Sequence, residues 1–171
     1  SSRAFMPHFH LPLQSGDDAV LGKMRRRYRS SVYADRVKRV LETIPHAAIG
    51  IDVIVGFPTE TEERFENTFN FLSELPISYL HVFTYSERPN TQALKIEDSV
   101  SPKQRKERSI FLHHMSDKKV RLFYEQFLGT EQLVLFENDV HDGTIRGFSA
   151  NYIRVEVPYE EDLCNQIRKV R

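Results

Sequence analysis

Continuous apolar runs alternate, along the first 130 residues, with segments in which apolar residues recur every three or four positions. Runs of the first kind are typical of β-strands covered on both faces, and segments of the second kind are typical of amphipathic helices. Strands are predicted at 4–13, Ala48–Val55 and Tyr79–Thr84. Because a helix follows each strand, the pattern favours a parallel sheet built from βα units.

Amphipathic helices are predicted at 18–28, 33–43, 62–74 and 102–127. The fourth has a strong start signal, because Ser101 can cap the helix and Pro102 suits its first position. Its apolar spacing places Ile110 and Leu112 on the inward face. The helices would cover the sheet and form the core with it.

After residue 127 the pattern changes to short strands separated by turn residues. Strands are predicted at 131–136, 144–148 and 152–157. This spacing is typical of small antiparallel barrels. We expect two domains, an α/β domain at residues 1–127 and a β-barrel at residues 128–171. The barrel would be incomplete, because no closing strand is recognisable before Arg171.

Composition excludes several classes of protein. The 171 residues are 40% hydrophobic, enough for a sizeable core, and 24 basic residues balance 24 acidic ones. No apolar run approaches the ~18 residues of a membrane span, so we expect no membrane partner and a cytoplasmic location. The single cysteine, Cys164, excludes an internal disulfide and cannot by itself hold an iron–sulfur cluster or a zinc ion.

Gln14 is the first candidate ligand-binding residue. It follows the first predicted strand, and the carboxyl ends of parallel strands line the ligand crevice of such sheets. Its amide could both donate to and accept from a ribose or an amino acid. The alternative is a plain turn residue in the sequence Gln14-Ser15-Gly16.

Asp52 is the sharpest single signal, because a carboxylate inside an apolar strand is costly to bury unless it is paired or bound. It could accept hydrogen bonds from ribose hydroxyls, or it could form a purely structural pair with Arg26. Gly56 and Phe57 follow the same strand, and glycine would let the backbone approach a flat ring closely. This neighbourhood favours the binding role of Asp52.

A dense basic run occupies residues 23–29. One of its arginines could bind a carboxylate and others RNA phosphates. The alternative, which the run alone favours, is a solvated helix end that complements the helix dipole.

His8 and His10 would point to the same face of the first strand. No partner residues follow at a spacing suited to a metal centre, so we predict no metal site. His8 or His10 would instead be a polar residue in the interior of the α/β domain's barrel.

Several segments, in order and spacing, resemble the radical S-adenosylmethionine (SAM) methylthiotransferases, which thiomethylate tRNA adenosine or a ribosomal aspartate. The matching segments are HLPLQSG at 10–16, MRR at 24–26, DVIVGFP at 52–58 with Glu60 and Thr61, and Tyr85-Ser86 with Arg88, Pro89 and Thr91. Residues 129–158 resemble the TRAM domain, an RNA-binding β-barrel of these enzymes. The resemblance implies the second half of a TIM-like radical-SAM barrel followed by a TRAM-like barrel.

Within the family, HVFTYSERP at 81–89 and GFSANYI at 147–153 most resemble the branch that modifies N6-threonylcarbamoyladenosine beside the tRNA anticodon. The resemblance implies tRNA as partner, with SAM and two [4Fe-4S] clusters as cofactors. It implies SAM contacts for Gln14, Arg26, Asp52, Gly56 and Phe57. RNA contacts are expected from Arg25, Arg27, Arg146 and Arg154.

The family's cluster cysteines would lie ahead of residue 1, so we expect this chain to be an inactive C-terminal part of the enzyme. Two other enzyme assignments stay open, the isopentenyladenosine branch and another radical-SAM enzyme such as a coproporphyrinogen oxidase relative. A non-catalytic RNA-binding module is the alternative of a different class. We also expect self-association through the exposed edge of a truncated sheet.

Overall fold

The computed structural model describes residues 5–96 and 98–171. Residue 4, the start of the first predicted strand, lies outside the described residues. The first sheet has three parallel strands in the order β1-β2-β3, namely β1 (His8–His10), β2 (Ala48–Val55) and β3 (Tyr79–Thr84). The predicted bounds of β2 and β3 are confirmed.

The first strand is much shorter than predicted. Only His8–His10 pair regularly with β2, and a single further bridge joins Gln14 to Val53. Pro7 and Pro12 flank the paired segment and cannot donate ladder hydrogen bonds. The chain nevertheless follows β2, because the Leu13 N–H donates to the Asp52 carbonyl at 3.1 Å.

Four helices accompany this sheet, at α1 (Asp18–Lys23), α2 (Ser30–Thr43), α3 (Glu62–Glu74) and α4 (Pro102–Glu125). The predicted α1 is five residues too long, because Arg25 adopts a left-handed backbone conformation with φ +58°. The cap of α4 is as expected, because Ser101 forms a capping box with Gln104. At the start of α3, the Thr61 side chain accepts from the Arg64 N–H.

The core lies between the helices and one face of β2. Ile49, Ile51, Val53 and Val55 alternate along the strand and are fully buried there. They pack against residues from α2, α3 and α4, namely Val37, Leu72 and Leu112. The opposite face of the sheet carries Gly50, Asp52 and Ile54 and is therefore the face left for polar side chains.

The inward face of α4 differs from the prediction. Its buried residues are Arg105, Arg108, Leu112, Ser116 and Phe123. Ile110 was expected to face inward, but it is 46% exposed. The two arginines take positions one and two turns before Leu112, so the buried stripe contains charges as well as apolar residues.

The second sheet is antiparallel, in the order β6-β5-β4-β7. Its strands are β4 (Gln132–His141), β5 (Thr144–Ser149), β6 (Arg154–Pro158) and β7 (Ile167–Val170). The fourth strand, β7, was not predicted. Val134, Phe136 and Ile145 are fully buried and form the core of this second sheet.

The two sheets meet through a small seam. Ile153 packs with Ala48 and Phe123 in a separate apolar cluster. The Asn151 side-chain Nδ2 donates to the His46 carbonyl at 3.0 Å, and the Ser149 hydroxyl donates to Asn151 Oδ1 at 2.6 Å. Within the described part of the chain, no helix combines the length and the apolar character needed to cross a membrane.

Candidate ligand-binding cavity at the strand ends

A cavity of about 880 Å³ opens where the three parallel strands end. The cavity lining combines apolar side chains with amides, hydroxyls and cations. The lining residues are Gln14, Gly22, Lys23, Met24, Arg25, Arg26, Ile54, Phe57, Phe83, Thr84, Tyr85, Ser86, Arg88, Thr91, Gln92, Ala93, Lys95 and Ile96. Ligand sites of open α/β sheets lie at this edge, and cavities of roughly 300–1,000 Å³ hold small molecules and cofactors.

Gln14 lies in the cavity wall, as predicted, and its backbone is held in an unusual conformation. Its φ is +78°, a region that costs a residue with a side chain about 1 kcal/mol or more. Two backbone hydrogen bonds hold this geometry, because the Gln14 N–H donates to the Asp52 carbonyl and the Gln14 carbonyl accepts from the Ile54 N–H. A side-chain hydrogen bond next to them, from Tyr28 Oη to the Leu13 carbonyl, fixes the preceding residue. This backbone conformation places the side-chain amide of Gln14 in the cavity lining at the strand ends.

The basic run divides between two sites. Arg25 and Arg26 line the cavity together with Lys23. Arg27 lies away from this cavity, in a shallow recess beside Asp18 and Tyr28. The early end of α1 explains the division, because Arg25 follows the helix in a left-handed turn.

Phe57 lines the cavity, and Gly56 stands behind it. Gly56 has φ +77°, and a Cβ there would lie 2.2 Å from Cγ of Arg105. Glycine is therefore required for the backbone turn and for packing against an arginine stem, and Gly56 does not belong to the cavity lining. The Phe57 ring meets the edge of Tyr85 at a centroid distance of 5.3 Å.

Asp52 does not line the cavity. Its carboxylate lies 3.0 Å from Nε2 of His10, so the structural partner is this histidine and not Arg26, the partner considered from the sequence. The strand register places His81 beside Asp52 on the same polar face. Asp52 lies two residues before Ile54 on the same face of β2, and Ile54 does line the cavity.

A second recess, of about 520 Å³, covers the amino-terminal part of this face. His8 Nε2 and Tyr79 Oη are 2.7 Å apart there. Burial lowers the pKa of His8, and the neighbouring His10 and His81 lower it further. Burial likewise raises the pKa of Tyr79. Within the described residues, no group of three or more His, Cys, Asp or Glu is arranged to hold a metal ion.

The sequence reading missed the buried arginines of α4. Arg108 Nη1 donates to Glu60 Oε1 at 2.8 Å, and the same carboxylate oxygen accepts from the Gly56 N–H at 2.8 Å. Burial raises the pKa of Glu60, outweighing these donors, which act in the opposite direction. Arg108 thereby holds the turn that carries Phe57.

Arg105 fixes the second cavity wall. Its Nη1 donates to the Tyr85 carbonyl at 3.1 Å and its Nε to the Val100 carbonyl at 2.8 Å. Its guanidinium also pairs with Glu87 and lies 5.2 Å from the centroid of the Tyr85 ring. The only sequence signal for the two arginines was their spacing, because Arg108 lies four residues and Arg105 seven residues before Leu112, which matches a buried helix stripe.

The loop after β3 was also missed as a source of binding groups. It contains a short 3-10 helix, Gln92–Lys95, and brings Arg88 and Lys95 into the cavity lining. From the sequence, Ser86, Arg88 and Thr91 contributed only to the family resemblance, and no binding role was predicted for them. Thr91 and Ser86 of this loop add hydroxyl groups to the same wall.

The remaining predicted RNA contacts lie on the second sheet. Arg146 pairs with Glu156 at 3.0 Å and lies 3.8 Å from Asp139. Arg154 is exposed at the start of β6. The structure does not bring either arginine to the cavity lining.

Comparison of the amino-acid sequence with known proteins relates this chain to the radical-SAM enzymes. The Radical SAM superfamily matches residues 2–72. The threonylcarbamoyladenosine tRNA methylthiotransferase of Aquifex aeolicus is 42% identical over 91% of this chain and 37% of its own length. The enzyme of the same name from Bacillus subtilis is 37% identical over 96% of this chain and 37% of its length.

The tRNA-2-methylthio-N(6)-dimethylallyladenosine synthase of Symbiobacterium thermophilum is also 37% identical, over 95% of this chain and 35% of its length. Among solved structures, coproporphyrinogen III oxidase from Escherichia coli, titled a radical SAM enzyme, aligns with a TM-score of 0.49. That alignment has 22% identity and covers 71% of this chain and 26% of the oxidase.

The chain spans a little over a third of the length of the curated relatives it matches. The residues that match the superfamily include the ends of β1 and β2, whereas the loop after β3 lies beyond them. Residues 2–72 therefore match the Radical SAM superfamily, and over most of its length the chain is similar to the tRNA methylthiotransferases.

Proposed function

We propose that this chain is part of a tRNA methylthiotransferase that inserts a methylthio group at C2 of N6-threonylcarbamoyladenosine beside the anticodon. The main support is the sequence similarity to enzymes of that name together with a cavity at the strand ends that contains Gln14, Arg26 and Phe57. Residues 1–127 would form the SAM-binding half-barrel and residues 128–171 the RNA-binding barrel.

The cavity suits SAM in its chemistry. Phe57 and Ile54 offer apolar surface to an adenine ring, and Gln14 can donate to or accept from a ribose or the methionine part. Arg26 is a suitable partner for the methionine carboxylate. When bound and reduced, SAM supplies hydrogen-abstraction chemistry. The contribution of these residues is to bind and orient it.

The α4 arginines would keep this site in shape. Arg108 holds Glu60 and the Gly56 turn, and Arg105 holds Tyr85, so both are positioning residues for Phe57 and the facing wall. Asp52 and Gly56, predicted to contact SAM, would act less directly. Asp52 would orient His10 below the cavity, and Gly56 would admit the Arg105 stem behind Phe57.

Iron–sulfur clusters do not fit the residues of this chain. Clusters are held by several cysteine thiolates, and the chain has one cysteine, Cys164, which lies 3.8 Å from Asn138 Oδ1 in the second sheet. We therefore assign no step through a cluster to these residues.

A second substrate branch has specific support, because the S. thermophilum dimethylallyladenosine synthase is as similar to this chain as the B. subtilis enzyme is. Disruption of the encoding gene, followed by mass spectrometry of tRNA nucleosides, separates the two. We expect the 2-methylthio form of N6-threonylcarbamoyladenosine to disappear and its unthiolated precursor to remain. Loss of only the dimethylallyl product would favour the second branch, and an unchanged nucleoside profile would overturn both.

Cofactor binding can be tested on this chain directly. Titration with SAM in a calorimeter should give weaker binding for Gln14→Ala, by about five- to tenfold, because a net hydrogen bond is worth about 1 kcal/mol. Gln166→Ala, an exposed glutamine of the second sheet, is the matched control and should bind as the parent does. Equal affinities for both variants would remove Gln14 from the site.

A further inference from the structure

Five cations line the cavity, and they come from both sides of the central strand. Lys23, Arg25 and Arg26 follow β1, whereas Arg88 and Lys95 follow β3. Strands β1 and β3 lie on opposite sides of β2 in the sheet. The cavity is therefore lined with positive charge on two facing walls.

These charges are not compensated within the described residues. Among residues 5–96 and 98–171, no carboxylate lies within 4.0 Å of any of the five cations, and neither Asp nor Glu occurs among the described lining residues. The chain as a whole has 24 basic and 24 acidic residues. The cavity thus concentrates an unbalanced positive charge in a neutral protein, which raises the local concentration of anions.

SAM does not account for this charge. Its sulfonium and ammonium groups carry two positive charges and its carboxylate carries one negative charge, so the molecule has a net charge of +1. One guanidinium is enough for the carboxylate, and Arg26 is available for it. The remaining cations would repel SAM unless a second, anionic ligand shared the cavity.

We propose that Arg88 and Lys95, on the wall opposite the basic run, bind phosphate groups of the RNA that carries the substrate base. This inference rests on the proposed function, which supplies the RNA. A volume of about 880 Å³ leaves room beside a cofactor for a nucleotide turned out of its stack. The loop after β3 is thus the RNA-facing wall of the site, and the run after β1 is the cofactor-facing wall.

The test is RNA binding by this chain as a function of salt concentration. The probe is a fluorescently labelled anticodon stem-loop, and the variant is Arg88→Gln/Lys95→Gln. Each lost contact to single-stranded RNA lowers the slope of log affinity against log salt by about 0.7, so the double variant should lower it by about 1.4. The matched control is Lys103→Gln/Arg121→Gln, which removes the same charges from the exposed surface of α4.

A second titration, with SAM, distinguishes the two anionic ligands. The Arg88→Gln/Lys95→Gln variant should bind SAM at least as well as the parent, because it removes repulsion and leaves Arg26 in place. The proposal is overturned if its RNA slope equals that of the parent or of the control variant. It is also overturned if the variant loses SAM affinity while its RNA slope is unchanged.

The nucleoside analysis keeps this inference separate from the proposed function. If the 2-methylthio nucleosides disappear on gene disruption but the Arg88→Gln/Lys95→Gln variant keeps the parent's salt slope of RNA binding, the proposed function is supported and the phosphate-binding role of Arg88 and Lys95 is overturned. If the salt slope drops as expected but the nucleosides are unchanged, the phosphate-binding role is supported and the proposed enzyme activity is wrong.

Discussion

The imidazole of His8 lies flat against the phenol ring of Tyr152, with ring centroids 4.4 Å apart and planes inclined by 3°. His8 belongs to the first strand of the parallel sheet, and Tyr152 follows β5 of the antiparallel sheet. Phe148 stacks on Tyr152 in turn, at 4.6 Å. The contact joins the polar face of the half-barrel to the second sheet through aromatic rings.

This contact predicts a dependence of stability on pH. Burial lowers the pKa of His8 below its ordinary 6.5, so the unfolded chain binds the proton more readily than the folded one. The contribution of His8 is therefore fully present above pH 6.5 and is lost as the pH falls through the lowered pKa. We expect urea unfolding to show a smaller loss of stability on acidification in His8→Phe than in the parent.

The control for this experiment is Tyr79→Phe. It removes the hydroxyl that lies 2.7 Å from His8 but keeps the titrating imidazole. Its stability should be lower at every pH, with the parent's slope retained between pH 5 and 7 to within roughly the error of the unfolding measurement. An identical slope in His8→Phe and the parent would contradict the prediction.

The buried pair of Arg108 and Glu60 should be strongly coupled. Arg108→Met leaves the Glu60 carboxylate buried without its cation, a change that typically costs about 3–5 kcal/mol of unfolding free energy. The double variant Arg108→Met/Glu60→Met should lose less than the sum of the two single variants, because neither charge is then left alone. A double-mutant cycle by denaturant unfolding measures this coupling, and additive losses would refute it.

Thr59 and Thr61 stand two residues apart and should respond in opposite directions. Thr59 has φ +75°, and its buried hydroxyl has no hydrogen-bond partner among the described residues. Thr59→Gly relieves both costs, so we expect a gain of about 1 kcal/mol after the flexibility of glycine is subtracted.

Thr61 caps α3, since its hydroxyl accepts from the Arg64 N–H at 3.3 Å. Thr61→Ala should therefore lose about 1 kcal/mol of stability. Thermal unfolding of both variants provides the measurement. A Thr59→Gly variant less stable than the parent would show that the turn is not strained.

Self-association through the first sheet stays a prediction. β1 is an outer strand of the sheet as described, and Phe5 and Met6, just before it, are 57% and 55% exposed. Exposed strand edges next to apolar side chains favour pairing between chains. Sedimentation velocity should reveal dimers or larger species at high concentration, and Phe5→Lys/Met6→Lys should reduce them. A parent protein that stays monomeric at every concentration would contradict this prediction.

Much of the fold could be predicted because its signals are local. The apolar run of Ala48–Val55 ends at a glycine–proline turn, and Tyr79–Thr84 follows a proline, so both strands have the predicted bounds. Ser101 and Pro102 likewise define the start of α4 within a few residues of chain. Such signals depend on backbone sterics and short hydrogen bonds that neighbouring residues provide.

Other elements depended on distant partners. β7 was missed, although its backbone pairs with β4 over four residues, because a short strand of mixed polarity has no pattern of its own. The polar run on α4 concealed two buried arginines, since their carboxylate partners are distant in sequence: Glu87 is 18 residues from Arg105, and Glu60 is 48 residues from Arg108. Sequence spacing alone cannot supply those partners.

The sequence by itself determined the alternation of strands and helices and the resemblance to the radical-SAM enzymes, and it singled out Gln14, Arg26 and Phe57, which the structure places in the cavity lining. Only the tertiary structure decided that Asp52 pairs with His10, that Gly56 makes room for Arg105, and that Arg88 and Lys95 reach the cavity. The physical reason is range: secondary structure and turns follow from residues within a few positions, whereas charge pairs and cavity walls arise where separate βα units meet.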